Sequence, residues 1–253
     1  MTPVAPCDGD YDYEKFKDVT GITDATILSA IETLVDDLKL NNLWNKFSVI
    51  YPFVGGTAET HKYNLKDARD SDEAFRMIFN GTWTHNSEGA VSDGSTAYGD
   101  TNYNPLFYSA VYNEHLSGYI QSNLSNGLIG ATQNPTDQIL QLGGTLYSSS
   151  SGGNLSGTVA ADNGHYILNR VVNSSSQTYI NGVEVLDLAG GISGYGNQDL
   201  NYYIACRNNG GVAGFLQANT FSLITIGKGL TVAEIGVFNT IVETFQTSLG
   251  RNV

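Results

Sequence analysis

The chain has 253 residues, of which 41% are hydrophobic and only 15% are charged, so Ser, Thr, Asn, Gln and 29 glycines make up most of its polar surface. This composition is typical of turn-rich β proteins, and the length suits one large β domain. The formal charge of −13, with no basic cluster, excludes phosphate-backbone binding, so no nucleic-acid partner is expected.

The N-terminus, MTPVAPCDGD, has neither a basic start nor an apolar segment, which predicts no signal peptide and no membrane insertion. Residues 1 to about 21 are acidic and irregular and are predicted to form an arm. Their alternating acids are similar to a calcium loop, but Tyr13 stands at the sixth position, where Gly is required, when Asp8 is first. No metal and no cofactor is therefore predicted. Cys7 and Cys206 are interpreted as free thiols, with a single bridge between them as the alternative.

From Thr23 onward, apolar residues recur at spacings of three and four, which predicts an amphipathic helix. The apolar positions are Ile27, Ala30, Ile31, Leu34 and Leu38. Thr23 is the predicted N-cap, with Asp24 beside the positive helix end, and Asn41-Asn42 supplies the stop. The stripe could pack on the chain's own β domain or on copies of itself from neighbouring chains.

From Ala74 onward the apolar period changes from about 3.6 to 2, which predicts strands. The alternating runs are 74–79, 166–172 and 202–206, and 221–226 is a further predicted strand. Within YINGVEV, Asn181-Gly182 is the dipeptide that tolerates the two positive φ angles of a type I′ turn, so a β-hairpin is predicted there.

The chain ends in a second predicted helix, whose start is marked by a capping box of Thr231 and Glu234. Its apolar stripe consists of Ile235, Phe238, Ile241, Val242, Phe245 and Leu249. Burial on its own sheet and burial between subunits both remain open. Taken together, the elements predict a mainly β fold: an antiparallel jelly-roll β-sandwich with an N-terminal helical segment and a C-terminal helix.

Three segments carry a family resemblance: IYPFVGGTAETHKYNLKDARDSDEAFR from Ile50 to Arg76, the following NGTWTHNSEG, and the distant FQTSLGRNV. In this order they resemble bacteriophage virion proteins that carry a concanavalin A-like or laminin-G-like jelly roll behind a helical N-terminal segment. The resemblance covers about Ile22 to Val253. The chain is accordingly predicted to have two parts. Residues 1–70 form an N-terminal arm and a helical segment for attachment or oligomerisation, and residues 71–253 form the jelly roll, which ends in a helix.

The same resemblance implies a location on the virion, after synthesis in the host cytoplasm. It indicates this location more firmly than it indicates any chemical activity. Other virion proteins are the expected partners, and a homo-oligomer, with a trimer favoured, is expected from the family and from the prevalence of closed symmetry.

No catalytic residue is predicted. Glu184 and Asp187 are the best candidate carboxylate pair, but three-residue spacing puts them on opposite faces of a regular strand. Ala189 also replaces the third acid of the Glu-x-Asp-x-x-Glu pattern seen in concanavalin-like glycosidases. The four histidines, His61, His85, His115 and His165, lie in separate segments without the short spacing of a zinc site. The chain is therefore not expected to be an enzyme.

Binding is the remaining function class, because flat aromatic faces and Asp, Asn and Gln side chains recognise sugars. Two clusters have this composition: 98–119, which includes Asn104 and Phe107, and 195–199. The predicted ligand-contact residues are Tyr98, Asp100, Asn102, Tyr103, Tyr108, Tyr112, Asn113, Tyr195, Asn197 and Asp199. The alternative is that half of each set is core. The resemblance implies a head or tail fibre, spike or decoration, and the two clusters predict that it adheres to host-surface glycans. A cement protein and, less favoured, a polysaccharide depolymerase are the alternatives.

Overall fold

The computed structural model describes residues 11–110, 112–121, 128–133, 136–141, 146–150, 153–157, 163–172, 175–189 and 197–253. The helices are α1 (Tyr11–Thr20), α2 (Ala25–Leu40), α3 (Ala58–His61), α4 (Pro105–Tyr108) and α5 (Val232–Ser248). In chain order, the strands are β1 (Phe47–Tyr51), β2 (Ile78–Asn80), β3 (Trp83–Asn86), β4 (Gly89–Ser92), β5 (Tyr98–Asp100), β6 (Glu114–Gln121), β7 (Leu128–Gln133), β8 (Thr136–Gln141), β9 (Leu146–Ser150), β10 (Gly153–Gly157), β11 (Gly164–Val172), β12 (Ser175–Ile180), β13 (Val183–Ala189), β14 (Tyr203–Ile204), β15 (Arg207–Asn209), β16 (Val212–Gly214) and β17 (Thr220–Gly227).

The strands form two sheets. In the described residues, an eight-stranded sheet has the order β13-β12-β11-β6-β17-β4-β3, with β1 also paired to β17, and is called the central sheet below. A nine-stranded outer sheet has the order β10-β9-β8-β7-β14-β5-β2, with β15 and β16 attached beside β7. Only β15 and β7 pair in parallel among the described pairs.

The two sheets share one apolar core. Ile120 and Ile224 of the central sheet pack with Ile129 and Ile204 of the outer sheet. Gly118 permits their close approach, because a Cβ there would lie 3.0 Å from the Cδ1 of Ile224 and 3.2 Å from that of Ile129. The predicted fold class, a mainly β antiparallel jelly-roll sandwich with helices at both ends, is confirmed.

A layer of helices covers the other face of the central sheet. Tyr119, Ile167 and Leu223 point into this layer from three neighbouring strands. The buried side chains of α2 are Ala30, Ile31, Leu34, Val35 and Leu38, and those of α5 include Ile235, Phe238, Ile241, Val242 and Phe245. Both apolar stripes therefore pack within the chain, on each other and on the sheet, which decides between the packing alternatives left open by the sequence.

The helix ends follow local hydrogen bonds. The predicted N-cap of α2 at Thr23 is wrong: Asp24 is the cap, and its Oδ1 accepts from the amides of Thr26 at 2.9 Å and Ile27 at 3.0 Å. A carboxylate accepts hydrogen bonds more strongly than a hydroxyl, so Asp24 rather than Thr23 caps the helix. The capping box of α5 is confirmed, with the Thr231 amide donating to Glu234 Oε2 at 2.7 Å.

Two predicted segments are corrected. Of the predicted arm 1–21, residues 11–20 form α1, whose Tyr13 and Phe16 are buried against the helical layer; residues 1–10 lie outside the described residues. The predicted strand at 74–79 is reduced to β2. It is preceded by a 3₁₀ turn, Asp72–Ala74, and by Phe75 in the left-handed region at φ 58°. In both segments tertiary packing overrides the local pattern.

Of the other local predictions, the strand at 202–206 is shortened to β14, with Ala205 in the left-handed region at φ 64°. Two further strands and the hairpin are confirmed. The predicted strands at 166–172 and 221–226 correspond to β11 and β17, and the hairpin of β12 and β13 turns at Asn181 (φ 49°) and Gly182 (φ 77°).

Cys206 is a buried free thiol, whereas Cys7 lies outside the described residues. The division of the chain at residue 70 stays a prediction; in the structure β1, which precedes it, pairs with β17.

Truncating Leu34 tests whether the helical layer is integral to the fold. Leu34→Ala removes a side chain that is buried in this layer, and a reduction of about 2–5 kcal/mol in the free energy of unfolding is expected. Urea denaturation of the full chain measures it. Thr33→Ala, at an exposed position of the same helix, is the control and should change stability by less than about 0.5 kcal/mol. Equal, small effects of both variants would contradict the packing described.

Candidate functional site

The two predicted ligand-binding clusters meet in space. The Asn104 side-chain amide donates to Asp199 Oδ1 at 2.8 Å, although the two residues are 95 positions apart. The Asn201 side-chain amide likewise donates to Asp100 Oδ1 at 3.0 Å. The pairing of β14 with β5 places the end of the second cluster beside the first. Residues 98–109 and 197–203 thus form one continuous region.

The predicted contact residues divide into exposed and structural ones. Tyr108 is 52% exposed, and Asp199 is exposed as well, whereas Tyr103 and Asn197 are buried. The ring of Tyr98 is half-buried and stacks on that of Tyr203, with 5.0 Å between centroids.

The remaining predicted residues do not all join this region. Asn113 accepts a hydrogen bond from the Gly229 amide at 2.8 Å, and the ring of Tyr112 lies 4.3 Å from the Arg170 guanidinium carbon. Tyr195 lies outside the described residues.

Three exposed side chains of α4 form the apolar part of the region: Leu106 (46% exposed), Phe107 (68%) and Tyr108. Phe75 packs edge-on against Tyr108, with 4.7 Å between ring centroids. We refer to Phe75, Leu106, Phe107 and Tyr108 as the aromatic platform. Sequence reasoning did not select Phe75 or Leu106, because Phe75 was assigned to a strand and no local pattern marks a four-residue helix.

Helix α4 is held at both ends. Asn104 caps its start by accepting from the Leu106 amide at 3.0 Å, and Pro105 suits the first helical position. The buried amide of Asn197 donates to the carbonyl oxygens of Pro105 at 2.9 Å and Ser109 at 2.8 Å, and so spans the helix. Asn197 therefore positions the platform and is not itself exposed to a ligand.

A polar rim borders the platform and consists of Asp72, Asn102, Asn104 and Asp199. Asn102 adopts φ 55°, and its side-chain amide donates to the Arg76 carbonyl oxygen at 2.8 Å. Arg76 is in turn paired with Asp70 at 2.9 Å and Asp72 at 2.7 Å. These contacts fix the rim side chains in the absence of a ligand, which reduces the entropy lost on binding.

A buried acid lies beneath this region. Glu114 accepts a hydrogen bond from the Tyr202 hydroxyl at 3.2 Å, and the Tyr202 ring stacks on that of Tyr103. Burial raises the pKa of Glu114 to about 7, although Tyr202 and the charge of Arg170 act in the opposite direction. The charge of Glu114 is thus expected to change near neutral pH.

The structure gives little support to catalysis. Glu184 accepts from the Tyr179 hydroxyl at 3.0 Å, and Asp187 accepts from the Gln177 amide at 3.4 Å, both as exposed groups of one hairpin. His61 and His85 do meet, with Nδ1 atoms 2.9 Å apart, and burial is the main cause that lowers the pKa of His61 to about 3. Within the described ranges, no three His, Cys, Asp or Glu side chains are grouped to hold a metal ion.

No helix in the described part of the chain has the length and apolar character needed to span a membrane.

Comparison with known proteins shows the fold. No protein-family model and no curated protein matches the chain. Among solved structures, it is similar to the binding domain of botulinum neurotoxin serotype D, with a TM-score of 0.53 and 12% identity over 78% of this chain and 52% of that one. The receptor-binding domain of the C/D mosaic serotype gives the same TM-score and identity, and the match covers 51% of that domain. The chain thus spans about half the length of these neurotoxin domains.

A further neighbour is domain 4 of an extracellular family 43 arabinanase from Geobacillus stearothermophilus, solved in complex with arabinotriose. It has a TM-score of 0.48 and 15% identity, and the match covers 77% of this chain and 98% of that domain. The two neurotoxin neighbours are a binding domain and a receptor-binding domain. At 12% identity, the likeness to these two neurotoxin domains shows a shared fold.

Replacing Glu114 with Gln tests its burial in an uncharged state. Because the folded pKa is raised above that of the unfolded chain, Glu114 contributes stability below about pH 4.5 and loses it as pH rises through about 7. From pH 5 to pH 8, the wild type should therefore lose roughly 1–3 kcal/mol of unfolding free energy that Glu114→Gln retains. Denaturant titrations at both pH values measure this.

The exposed Glu32, on α2, supplies the control. Glu32→Gln should leave the difference between the two pH values as in wild type. A difference between wild type and Glu114→Gln that is the same at pH 5 and pH 8 would show that Glu114 does not change its charge state on folding.

Proposed function

We propose that the chain is a noncatalytic adhesion protein whose aromatic platform and polar rim bind a carbohydrate. The observation that supports this most strongly is the exposure of Phe107 and Tyr108 on a helix that is capped and spanned by hydrogen bonds. Sugar rings stack their C–H faces on such aromatic side chains, while amides and carboxylates exchange hydrogen bonds with the hydroxyl groups. The receptor-binding domains among the structural neighbours are in keeping with this use of the fold.

The biological setting we propose is the surface of a phage particle, as a head or tail fibre, spike or decoration. Its support is the resemblance of the Ile50–Arg76 segment, NGTWTHNSEG and FQTSLGRNV to phage virion proteins. Other virion proteins would be the partners, and a homo-oligomer, with a trimer favoured, would present several platforms at once. Linked copies multiply weak individual contacts without any new contact, so low monomer affinity would suffice for adhesion to host glycans.

The cement function is the second candidate, because a neighbouring virion chain could also cover the exposed apolar side chains of α4. The two functions differ in what the platform contacts. A carbohydrate ligand would leave the platform exposed in the assembled particle, whereas a cement protein would bury it.

A glycan array probed with the chain displayed on a multivalent carrier tests the proposal. The double variant Phe107→Ala, Tyr108→Ala should lose at least about tenfold in apparent affinity for the bound glycans, since each aromatic contact contributes roughly 1 kcal/mol. Phe215→Ala removes an aromatic side chain of similar exposure, 56%, that is not part of the platform, and should bind like wild type.

Equal binding by wild type and the platform variant would reject this surface as the carbohydrate site. Absence of glycan binding, together with loss of incorporation into particles by the platform variant alone, would favour the cement function.

A further inference from the structure

A concave surface on the helical side of the molecule shares no residue with the platform. It is a cleft of 710 Å³ between the turn joining α1 to α2, the bend at Val54–Gly56, the turn between β3 and β4, and the chain end after α5. Its volume lies within the 300–1,000 Å³ that is usual for small-molecule sites. Except for the first two, the four segments that meet here are distant from one another in the sequence.

The walls of this cleft combine hydroxyl groups with apolar side chains. The hydroxyls belong to Thr20, Thr23, Thr26, Thr60, Ser87 and Ser248. Ile22, Ile27, Val54 and Leu249 supply the apolar surface. This mixture suits a ligand that has both hydroxyl groups and C–H faces, since each kind of surface finds a partner.

Arg251 gives the cleft a buried positive charge. Only 1% of this residue is exposed, and its guanidinium donates to the carbonyl oxygens of Phe53 at 3.0 Å, Pro52 at 3.3 Å and Ser222 at 3.2 Å. These acceptors are neutral, and the Nε of Arg251 is buried without a hydrogen-bond partner. Burial lowers the pKa of Arg251 to about 10, so the group is still charged at neutral pH.

A buried guanidinium is normally paired with a carboxylate, because an unpaired charge in the interior is costly. In the described part of the chain, Glu88 influences Arg251 electrostatically but does not form an ion pair with it. The carboxylate on the cleft wall, Asp24, has its Oδ1 engaged by the amides of Thr26 and Ile27 at the start of α2. The described residues therefore leave the charge of Arg251 without a direct counter-ion.

We propose that this cleft is a second ligand site, which takes a ligand of one or two sugar units that carries a carboxylate. The carboxylate would compensate the charge of Arg251, and the Thr and Ser side chains would bond the ligand hydroxyls. Charge-assisted hydrogen bonds are about twice as strong as neutral ones, so the site should discriminate against a ligand that differs only by lacking the acid group. Because the cleft and the platform are separate, this proposal does not depend on the platform's function.

Isothermal titration of the full chain with D-glucuronate and with D-glucose tests the proposal, since the two sugars differ only at C6. Glucuronate should bind at least about tenfold more tightly than glucose, and high salt should weaken its binding. Ser87→Trp places a large side chain at the exposed rim of the cleft and should abolish binding. Thr84→Trp, at an exposed position of β3 that does not line the cleft, should retain it.

Two further variants supply a second way to block the cleft and a second control. Thr26→Trp blocks the cleft from α2 and replaces Ser87→Trp if that variant fails to fold. Phe215→Ala changes an exposed aromatic side chain that belongs to neither the cleft nor the platform, and should leave glucuronate binding unchanged. Equal affinity for glucose and glucuronate, no binding of glucuronate to the wild-type chain, or binding that survives the blocking variants would each overturn the proposal, whatever the glycan array shows for the platform.

Discussion

Burial of both faces of the central sheet is the constraint on which the rest of the structure depends. On β17, Leu223 points into the helical layer, while Ile224 points into the core shared with the outer sheet. On β11, Ile167 and its neighbour Leu168 divide between the same two cores. A sheet covered in this way needs apolar side chains on both faces, so α2 and α5 complete the domain by covering the face that the outer sheet leaves open.

This arrangement restricts where recognition can occur. Both faces of the central sheet are covered along most of β6, β11 and β17. The two proposed ligand sites lie instead on connections between strands and helices, which is where scaffolded proteins commonly carry function. The platform follows this rule, since α4 lies on the connection from β5 to β6. The cleft follows it too, because its walls come from turns and helix ends. In both places buried polar groups, Asn197 and Arg251, hold connecting backbone in position.

The sequence predicted the elements whose cause is local. The Asn181-Gly182 turn and the capping box of Thr231 and Glu234 depend on residues within a few positions of one another, and both are found. The sequence predicted both helical stripes but left open what they pack on, because an apolar stripe does not indicate what covers it. Helix α1 was missed for a related reason: Tyr13 and Phe16 become core only because the helical layer is there to receive them.

The sequence predicted which residue types form the candidate site, but not which of them are exposed or lie next to one another. Tyr103 and Tyr108 occur in the same aromatic run, yet the first is buried and the second is exposed, and no period-2 or period-3.6 pattern separates them. The contact between Asn104 and Asp199 depends on strand pairing across the outer sheet, which one sequence does not reveal. Tyr112 and Asn113 were grouped with the site by proximity in sequence alone, and contact Arg170 and Gly229 instead.

Native-state hydrogen exchange of the full chain tests the central claim most directly. If the helical layer and the central sheet form one cooperative unit, the amides of α2, α5, β6, β11 and β17 should exchange only through global unfolding. The amides of residues 105–109, on the connection that carries the platform, should open at a lower free energy. Exchange of α2 and α5 well ahead of the central sheet would contradict the account, because one face of that sheet would then be stable without its cover.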